Sequence, residues 1–220
     1  MRLYERILDL LFPPKCAFCG ALTERENEGV CPACRRELPW TENLKRRADF
    51  VIGVTAPLYY EGTVRQALLR YKFNGAPARG DVYGRLIGEA LRKQEKTGFD
   101  VVTWAPLSRK RLRRRGYDQA RLLAEAAAKE LGIPCEGLLK KARHTPPQSG
   151  ISTPEARRAN VSGVYTVSEP NRVRGKRILL IDDIITTGAT VSECARILLL
   201  NGAGSVHAAA LAVPRKEKKN

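Results

Sequence analysis

The sequence predicts an α/β protein: a mostly parallel sheet with helices on both faces, preceded by a small module built on four cysteines. Three observations carry this expectation. Strand-like and helix-like segments alternate from residue 49 onward. The run Ile-Leu-Leu-Ile at 178–181 is short, apolar and branched, as a strand buried on both faces requires. Four of the six cysteines stand near the start of the chain as two C-x-x-C pairs.

The elements follow in order. Leu3, Ile7, Leu10 and Leu11 recur at helical spacing, so 2–11 reads as a short amphipathic helix that Pro13 and Pro14 end. Such a helix packs on its own protein or, less often, lies on a membrane surface. Residues 12–40 hold the four-cysteine module, and the polar stretch 41–48 reads as a linker. The chain therefore divides into 1–48 and 49–220. Residues 50–58 read as a strand, then 63–73 and 81–96 as helices, the second with Val82, Leu86 and Leu91 on one side. A short apolar strand is expected at 101–107. The alanine- and leucine-rich stretch 119–131 reads as a helix stopped by Gly132 and Pro134. Residues 143–160 are rich in Pro, Gly, Ser, Thr and Arg and read as a long loop. After the strand at 178–181 come a helix at 189–201 and a last strand at 205–213. The charged end, 215–220, reads as a frayed tail.

Formal net charge is +16, which favours polyanionic partners: nucleic acid, phosphorylated metabolites or an anionic membrane surface. Hydrophobic residues make up 43%, enough for a real core and against global disorder. No apolar run approaches the roughly 20 residues of a membrane span, so no stable membrane insertion is expected. The start carries Glu5 and Asp9 and lacks the basic head and small-residue cleavage site of a signal peptide. A cytoplasmic location is the expectation.

Eleven residues lie between Cys16-x-x-Cys19 and Cys31-x-x-Cys34. Each pair can form a tight turn that aims two thiolates at one metal, and four thiolates close a tetrahedral structural zinc site. Gly20 follows the first pair, where the turn needs a permissive backbone. Redox-active pairs and an iron–sulfur cluster are the competing readings. A closed four-cysteine site leaves no open position for catalysis. Metal binding would supply folding energy to a region too short and polar to bury a core alone. Cys135 and Cys194 lie in apolar surroundings and read as ordinary core residues.

The stretch 178–190 is the most informative. Asp182 and Asp183 stand at the C-terminal end of the buried strand, where open α/β sheets place their ligands. Ile184 and Ile185 follow, then Thr186, Thr187, Gly188, Ala189 and Thr190 lead into a helix. A helix N-terminus offers N–H groups and a positive dipole end to a phosphate. The three threonines add hydroxyl groups, and Gly188 lets backbone approach a ligand. A nucleotide-hydrolase strand is the first alternative, but no G-x-x-x-x-G-K-[ST] loop accompanies it. A core strand ending in a capped helix is the second, and two adjacent carboxylates make it costly.

Six of the seven residues from Arg109 to Arg115 are basic. Ser108 and Gly116 bracket the run, and Tyr117 and Asp118 follow. A solvated charged face is the plain reading. The run follows a strand end, however, so it can lie beside the phosphate loop. Ser108, Arg109, Lys110, Arg113, Arg114, Arg115 and Gly116 are then candidates to hold pyrophosphate or a nucleic-acid backbone. Tyr117 suits stacking on a base or, as lone tyrosines commonly do, packing. Residues 143–161 are long, polar and cationic, the composition of an active-site lid. Arg143, Gln148 and Arg157 are its candidate contacts, and His144 alone in a basic loop is weak support for a proton carrier.

On these residues the chain resembles the type I phosphoribosyltransferases, whose signature is four apolar residues, two acids, two apolar residues and a Thr/Gly-rich loop. All thirteen positions of 178–190 match. The resemblance implies a type I phosphoribosyltransferase-like fold. It implies that Asp182 and Asp183 bind the ribose of phosphoribosyl pyrophosphate, or of a related nucleotide, and serve as catalytic residues. Residues 186–190 would bind its 5-phosphate, and magnesium would arrive on the pyrophosphate oxygens. The mobile loop would cover the leaving pyrophosphate. The order of parts then narrows the likeness. A zinc-ribbon-like start is followed by R-x-x-R-R-R-G-Y-D-Q-A, by R-x-T-x-x-Q with R-R-x-N-V, and by I-D-D-I-I-T-T-G-A-T. Across essentially the whole chain this is similar to the ComF family, bacterial phosphoribosyltransferase-like proteins with an N-terminal zinc ribbon. Asp118 stands where many of its members carry asparagine. The resemblance implies a part in natural transformation, the uptake of DNA and its later handling, with single-stranded DNA and competence-machinery proteins as partners. It leaves two functions open: a phosphoribosyl transferase, or a non-catalytic adaptor for single-stranded DNA that keeps the fold.

Overall fold

The computed structural model describes residues 13–42, 44, 46–73, 75–142 and 163–215. The expected helix at 2–11 and the lid candidates Arg143, His144, Gln148 and Arg157 lie outside the described residues.

The core is a parallel sheet. Its strands are β1 (Val54–Thr55), β2 (Leu58–Tyr59), β3 (Val101–Trp104), β6 (Arg177–Ile184) and β7 (Ser205–Val213). Their order across the sheet is β1-β7-β6-β3, with β2 also pairing β7. All of these pairings are parallel. A separate antiparallel pair, β4 (Leu139–Lys141) and β5 (Tyr165–Val167), flanks the segment 143–162. Six α-helices are described: α1 (Pro32–Glu37), α2 (Gly62–Phe73), α3 (Arg79–Lys93), α4 (Arg109–Arg115), α5 (Gln119–Leu131) and α6 (Ala189–Leu200).

The period-2 rule divides the core in two. Leu179 and Ile181 of β6, with Ala209 and Leu211 of β7, face α2, α3 and α5. Ile178 and Leu180, with Ala208 and Ala210, face α6 and β5. The central strands are therefore buried on both faces, as the unbroken apolar runs require. The expectation of helices on both faces of a mostly parallel sheet is met.

Two boundaries differ instructively. The expected single strand at 50–58 is two short strands, because Ala56 and Pro57 interrupt it. Proline has no N–H for a ladder. The carbonyls of Ala56 and Pro57 instead accept hydrogen bonds from the Thr41 hydroxyl and the Thr41 N–H. The start of that stretch is not strand at all: Phe50 has φ +65° and is exposed. The second difference concerns the basic run, to which the sequence pattern assigns no secondary structure. Residues Arg109–Arg115 form two helical turns. Ser108 caps them by accepting from the Arg111 N–H at 3.4 Å, and Gly116 ends them in the left-handed region.

Helices α3 and α5 meet closely. Gly80, Gly84 and Gly88 form a stripe at four-residue spacing on α3 that faces α5. A Cβ on Gly84 would lie 2.5 Å from both the Leu123 carbonyl oxygen and the Ala126 Cβ. Small residues on both helices let the backbones approach.

The cysteine module is docked into the first core rather than standing apart. Phe18 and Val30 are fully buried there beside Tyr71, Tyr83 and Leu86. The Tyr83 hydroxyl donates to the Ala17 carbonyl at 2.7 Å, and Arg70 donates to the Phe18 carbonyl.

Candidate functional site

Strands β3 and β6 run side by side with Trp104 level with Ile181. Whatever follows either strand therefore emerges at the same sheet end. After Ile181 come Asp182 and Asp183, still in β6. After Trp104 come the turn at 105–108 and the arginine helix. Parallel pairing thus brings two segments together that lie about 70 residues apart.

The two carboxylates have different surroundings. Asp182 Oδ1 accepts from the Asp183 N–H at 2.8 Å. Burial, and next the neighbouring Asp183 charge, push the Asp182 carboxyl up to about 7; the Asp183 N–H and Lys72 oppose that rise. Asp183 forms an ion pair with Lys72, Nζ to Oδ2, at 2.9 Å. Sequence reasoning missed Lys72. It sits in the last turn of α2, more than 100 residues away, and nothing in its local pattern points to a site.

Asp118 adds a third carboxylate. It caps α5 through the Arg121 N–H at 3.3 Å and also accepts from the Leu107 N–H at 3.0 Å. Burial pushes it above the usual carboxylate range, against those N–H groups, and the Asp183 charge adds to the rise. One side chain thus ties the 105–108 turn to the start of α5.

The loop 185–188 closes onto the N-terminus of α6. Gly188 is its N-cap at φ +84°, and the Thr187 hydroxyl oxygen accepts from the Ala189 N–H at 3.4 Å. The residue facing the glycine is Ala48, whose Cβ would lie 3.0 Å from a Cβ at 188. The sequence reading took Gly188 as room for a ligand. It takes left-handed backbone, which glycine adopts without strain, and it lies against Ala48 as well as on the cleft. Asp182, Thr186, Gly188, Ala189 and Thr190 line one small cleft.

Ser108, Arg109, Lys110 and Gly116 line a second, larger groove of about 1030 Å³, bounded by α4, α5 and β4. Trp104 and Tyr117 form part of its wall, and Lys140, Lys141 and Arg121 add cations. Burial, then the Arg111 charge, draw the Lys141 ammonium down to about 8. It donates to the Tyr165 hydroxyl at 3.3 Å. Arg113 and Arg114 point to solvent. Arg115 does not: it donates to Gln119 Oε1 at 2.7 Å and lies 5.2 Å over the Phe73 ring. Tyr117 has the packing role, against Tyr71 at 5.7 Å, with its hydroxyl donating to the Tyr71 carbonyl.

The four cysteines converge. Their sulfurs all lie within 4.8 Å of one another, and Cys19 Sγ is 3.7 Å from Cys31 Sγ. A tetrahedral zinc with Zn–S near 2.3 Å needs sulfur–sulfur edges of about 3.8 Å. The N–H groups of Cys31 and Cys34 point at the Cys16 and Cys31 sulfurs, each at 3.5 Å. Burial works to raise the Cys16 thiol, but the N–H groups of Cys19, Cys31 and Phe18 outweigh it and bring it down to about 6. Burial and the neighbouring sulfurs push Cys34 up. A divalent cation resolves that conflict by taking all four as thiolates. Cys194 is fully buried and Cys135 half-buried, with burial pushing the Cys135 thiol up to about 12, as core thiols should be.

Known families agree with both halves. The phosphoribosyl transferase domain family matches residues 118–220, and the double zinc ribbon domain family matches 7–46. A "DNA utilization protein YhgH" of Salmonella typhi is 30% identical over 205 residues, covering 87% of this chain and 86% of that protein. "Competence protein ComFC" of Streptococcus pneumoniae is 30% identical over 195 residues, covering 87% and 84%. The chain belongs to the ComF family. "Competence protein F" of Haemophilus influenzae is 27% identical over 191 residues, 84% of this chain and 78% of that protein. The likeness to ComF proteins, expected along essentially the whole chain, thus runs along most of each relative as well. The four-cysteine cluster is accordingly a structural zinc site of the ribbon type. Among the described residues no helix is long and apolar enough to cross a membrane.

Proposed function

We propose that the chain binds phosphoribosyl pyrophosphate, or a related phosphorylated nucleotide, at the end of β6, and that this binding serves DNA uptake and handling. One observation carries the reading. The acidic pair, a glycine-capped helix N-terminus and the turn leading to the arginine helix share one sheet end. Asp182 and Asp183 would hold the ribose hydroxyls, and residues 186–190 the 5-phosphate, through N–H groups and the helix dipole. Ser108, Arg109, Lys110 and Gly116 would hold pyrophosphate, with Arg143, Gln148 and Arg157 closing over it. Magnesium on the pyrophosphate oxygens would neutralise their charge. If transfer occurs, the C1–O bond to pyrophosphate breaks as the acceptor bonds to C1, and the carboxylates stabilise the cationic ribose.

A role in DNA uptake is supported by membership of a family that includes proteins named for competence and DNA utilization. The cationic groove favours the second reading, a single-strand DNA adaptor without turnover. In either case residues 1–48 would be the ribbon unit and 49–220 the ligand unit, working in the cytoplasm beside the competence machinery.

Calorimetric titration of the zinc-loaded chain separates these readings. Phosphoribosyl pyrophosphate with magnesium should bind wild type and bind Asp182→Asn/Asp183→Asn at least about tenfold more weakly. Equal affinity for both proteins, or none for either, would end the phosphoribosyl reading. Single-stranded DNA should bind with a steep salt slope. Pyrophosphate release with any of a panel of bases and amines would establish transferase turnover over the adaptor.

A further inference from the structure

The ion pair at Asp183 has a consequence beyond ligand recognition. Two adjacent carboxylates at a strand end repel each other, and a cation beside them, metal or ammonium, offsets that repulsion. Here a lysine reaches the second of them first. The Lys72 and Asp183 side chains are only 19% and 13% exposed, with Nζ 2.9 Å from Oδ2. An ion pair so shielded is screened far less by salt than a surface pair.

The lysine is held there by its neighbours along α2. Arg70 is tied to the Phe18 carbonyl of the zinc ribbon. Tyr71 is fully buried; its hydroxyl donates to the Gln119 carbonyl at 3.0 Å, and its own carbonyl accepts from Tyr117. Phe73 is faced by Arg115. The residues on either side of Lys72 are thus anchored to the ribbon, to α5 and to the arginine helix. The ammonium is delivered to Asp183 by the fold rather than recruited from solvent.

We propose that Lys72 is the resident counter-ion of the acidic pair, occupying at Asp183 the place that a divalent cation would otherwise take. The pair is then set to receive a neutral diol, and any metal enters with the phosphates of the ligand. The diol part rests on the phosphoribosyl reading; the displacement of metal by lysine does not. Lys72 is a positioning residue, acting through Asp183.

The test uses manganese as probe, on the full-length, zinc-loaded chain without any phosphate ligand, with binding read by electron paramagnetic resonance. Wild type should show no manganese site that Asp183→Asn removes. Lys72→Met should gain one at least about tenfold tighter than anything in wild type, and Lys72→Met/Asp183→Asn should lose it again. The proposal is overturned if wild type already binds manganese in an Asp183-dependent way as tightly as the variant, or if Lys72→Met gains no site. Should Lys72→Met fold poorly, the double variant should recover the wild-type melting temperature, because it removes the stranded carboxylate. Failure of that rescue also sinks the proposal. A separate titration with phosphoribosyl pyrophosphate and magnesium judges the functional reading. If wild type does not bind it, that reading falls while the manganese result still decides the role of Lys72.

Discussion

Asp182 and Asp183 are neighbours in sequence yet carry different electrostatics. Asp183 has an ammonium against it, whereas Asp182 is raised by burial and by its neighbour. The sign for stability follows from proton counting. Between the ordinary carboxylate range and about pH 7 the folded chain holds a proton on Asp182 that the unfolded chain has released. Stability contributed by this group is therefore full at acid pH and falls as pH rises through that window. Denaturant midpoints of wild type at pH 5 and pH 8 should show the loss, and Asp182→Asn should flatten it. An unchanged slope in the variant would place the titration elsewhere. Asp118 is a second residue with a double duty. Its carboxylate caps α5 and fastens Leu107, so Asp118→Ala should cost about 1–2 kcal/mol in unfolding experiments, more than a solvent-exposed cap alone.

Elements gain their function here from how closely they approach one another. The glycine stripe of α3 sets the position of α5, and α5 begins at the Asp118 cap of the candidate site. Gly84→Ala would drive a methyl into the Leu123 carbonyl and Ala126. A destabilisation of roughly 1–3 kcal/mol is expected, measurable as a lowered denaturant midpoint. The zinc ribbon is coupled to the same region by an aromatic chain. Phe18 meets Tyr83 at 5.2 Å, Tyr83 meets Tyr71 at 5.4 Å, and Tyr71 meets Tyr117 at 5.7 Å. Removing zinc with a chelator should thus do more than unfold residues 13–42. Hydrogen exchange should rise in α2 and around Tyr117, and protection there that survives chelation would show the ribbon to be an independent appendage.

Over the whole molecule, charge is the property most open to test. A net charge of +16, with Arg109, Lys110, Arg121, Lys140 and Lys141 on one groove, predicts binding to single-stranded DNA that weakens steeply with salt. Each phosphate contact removed from a single strand should lower the log–log salt slope by about 0.7. Arg113 and Arg114 are solvent-facing, so their replacement by alanine should reduce the slope without altering the melting temperature. An unchanged slope would assign DNA binding to other cations, with Lys140, Lys141 and Arg121 the next to examine. Arg115 is a poor choice for that experiment, since it braces Gln119 and Phe73.

Much of this was legible along the chain. The paired cysteines, the branched run before Asp182 and the threonine-glycine loop are local patterns, and the chemistry of each is set by residue type and spacing. The helix over Gln119–Leu131 and the strand over Ser205–Val213 appear with the boundaries that periodicity assigns. The tertiary structure decided the rest, because the remaining features depend on contacts between distant segments. Lys72 reaches Asp183 only because α2 is anchored to the start of α5. Gly188 meets Ala48, 140 residues earlier in the chain, only in the folded protein. The basic run became a helix whose arginines divide between solvent, a groove and Phe73, a division no charge count contains. Residue type and spacing determine which groups a chain can offer; packing determines which of them meet, and with what charge beside them.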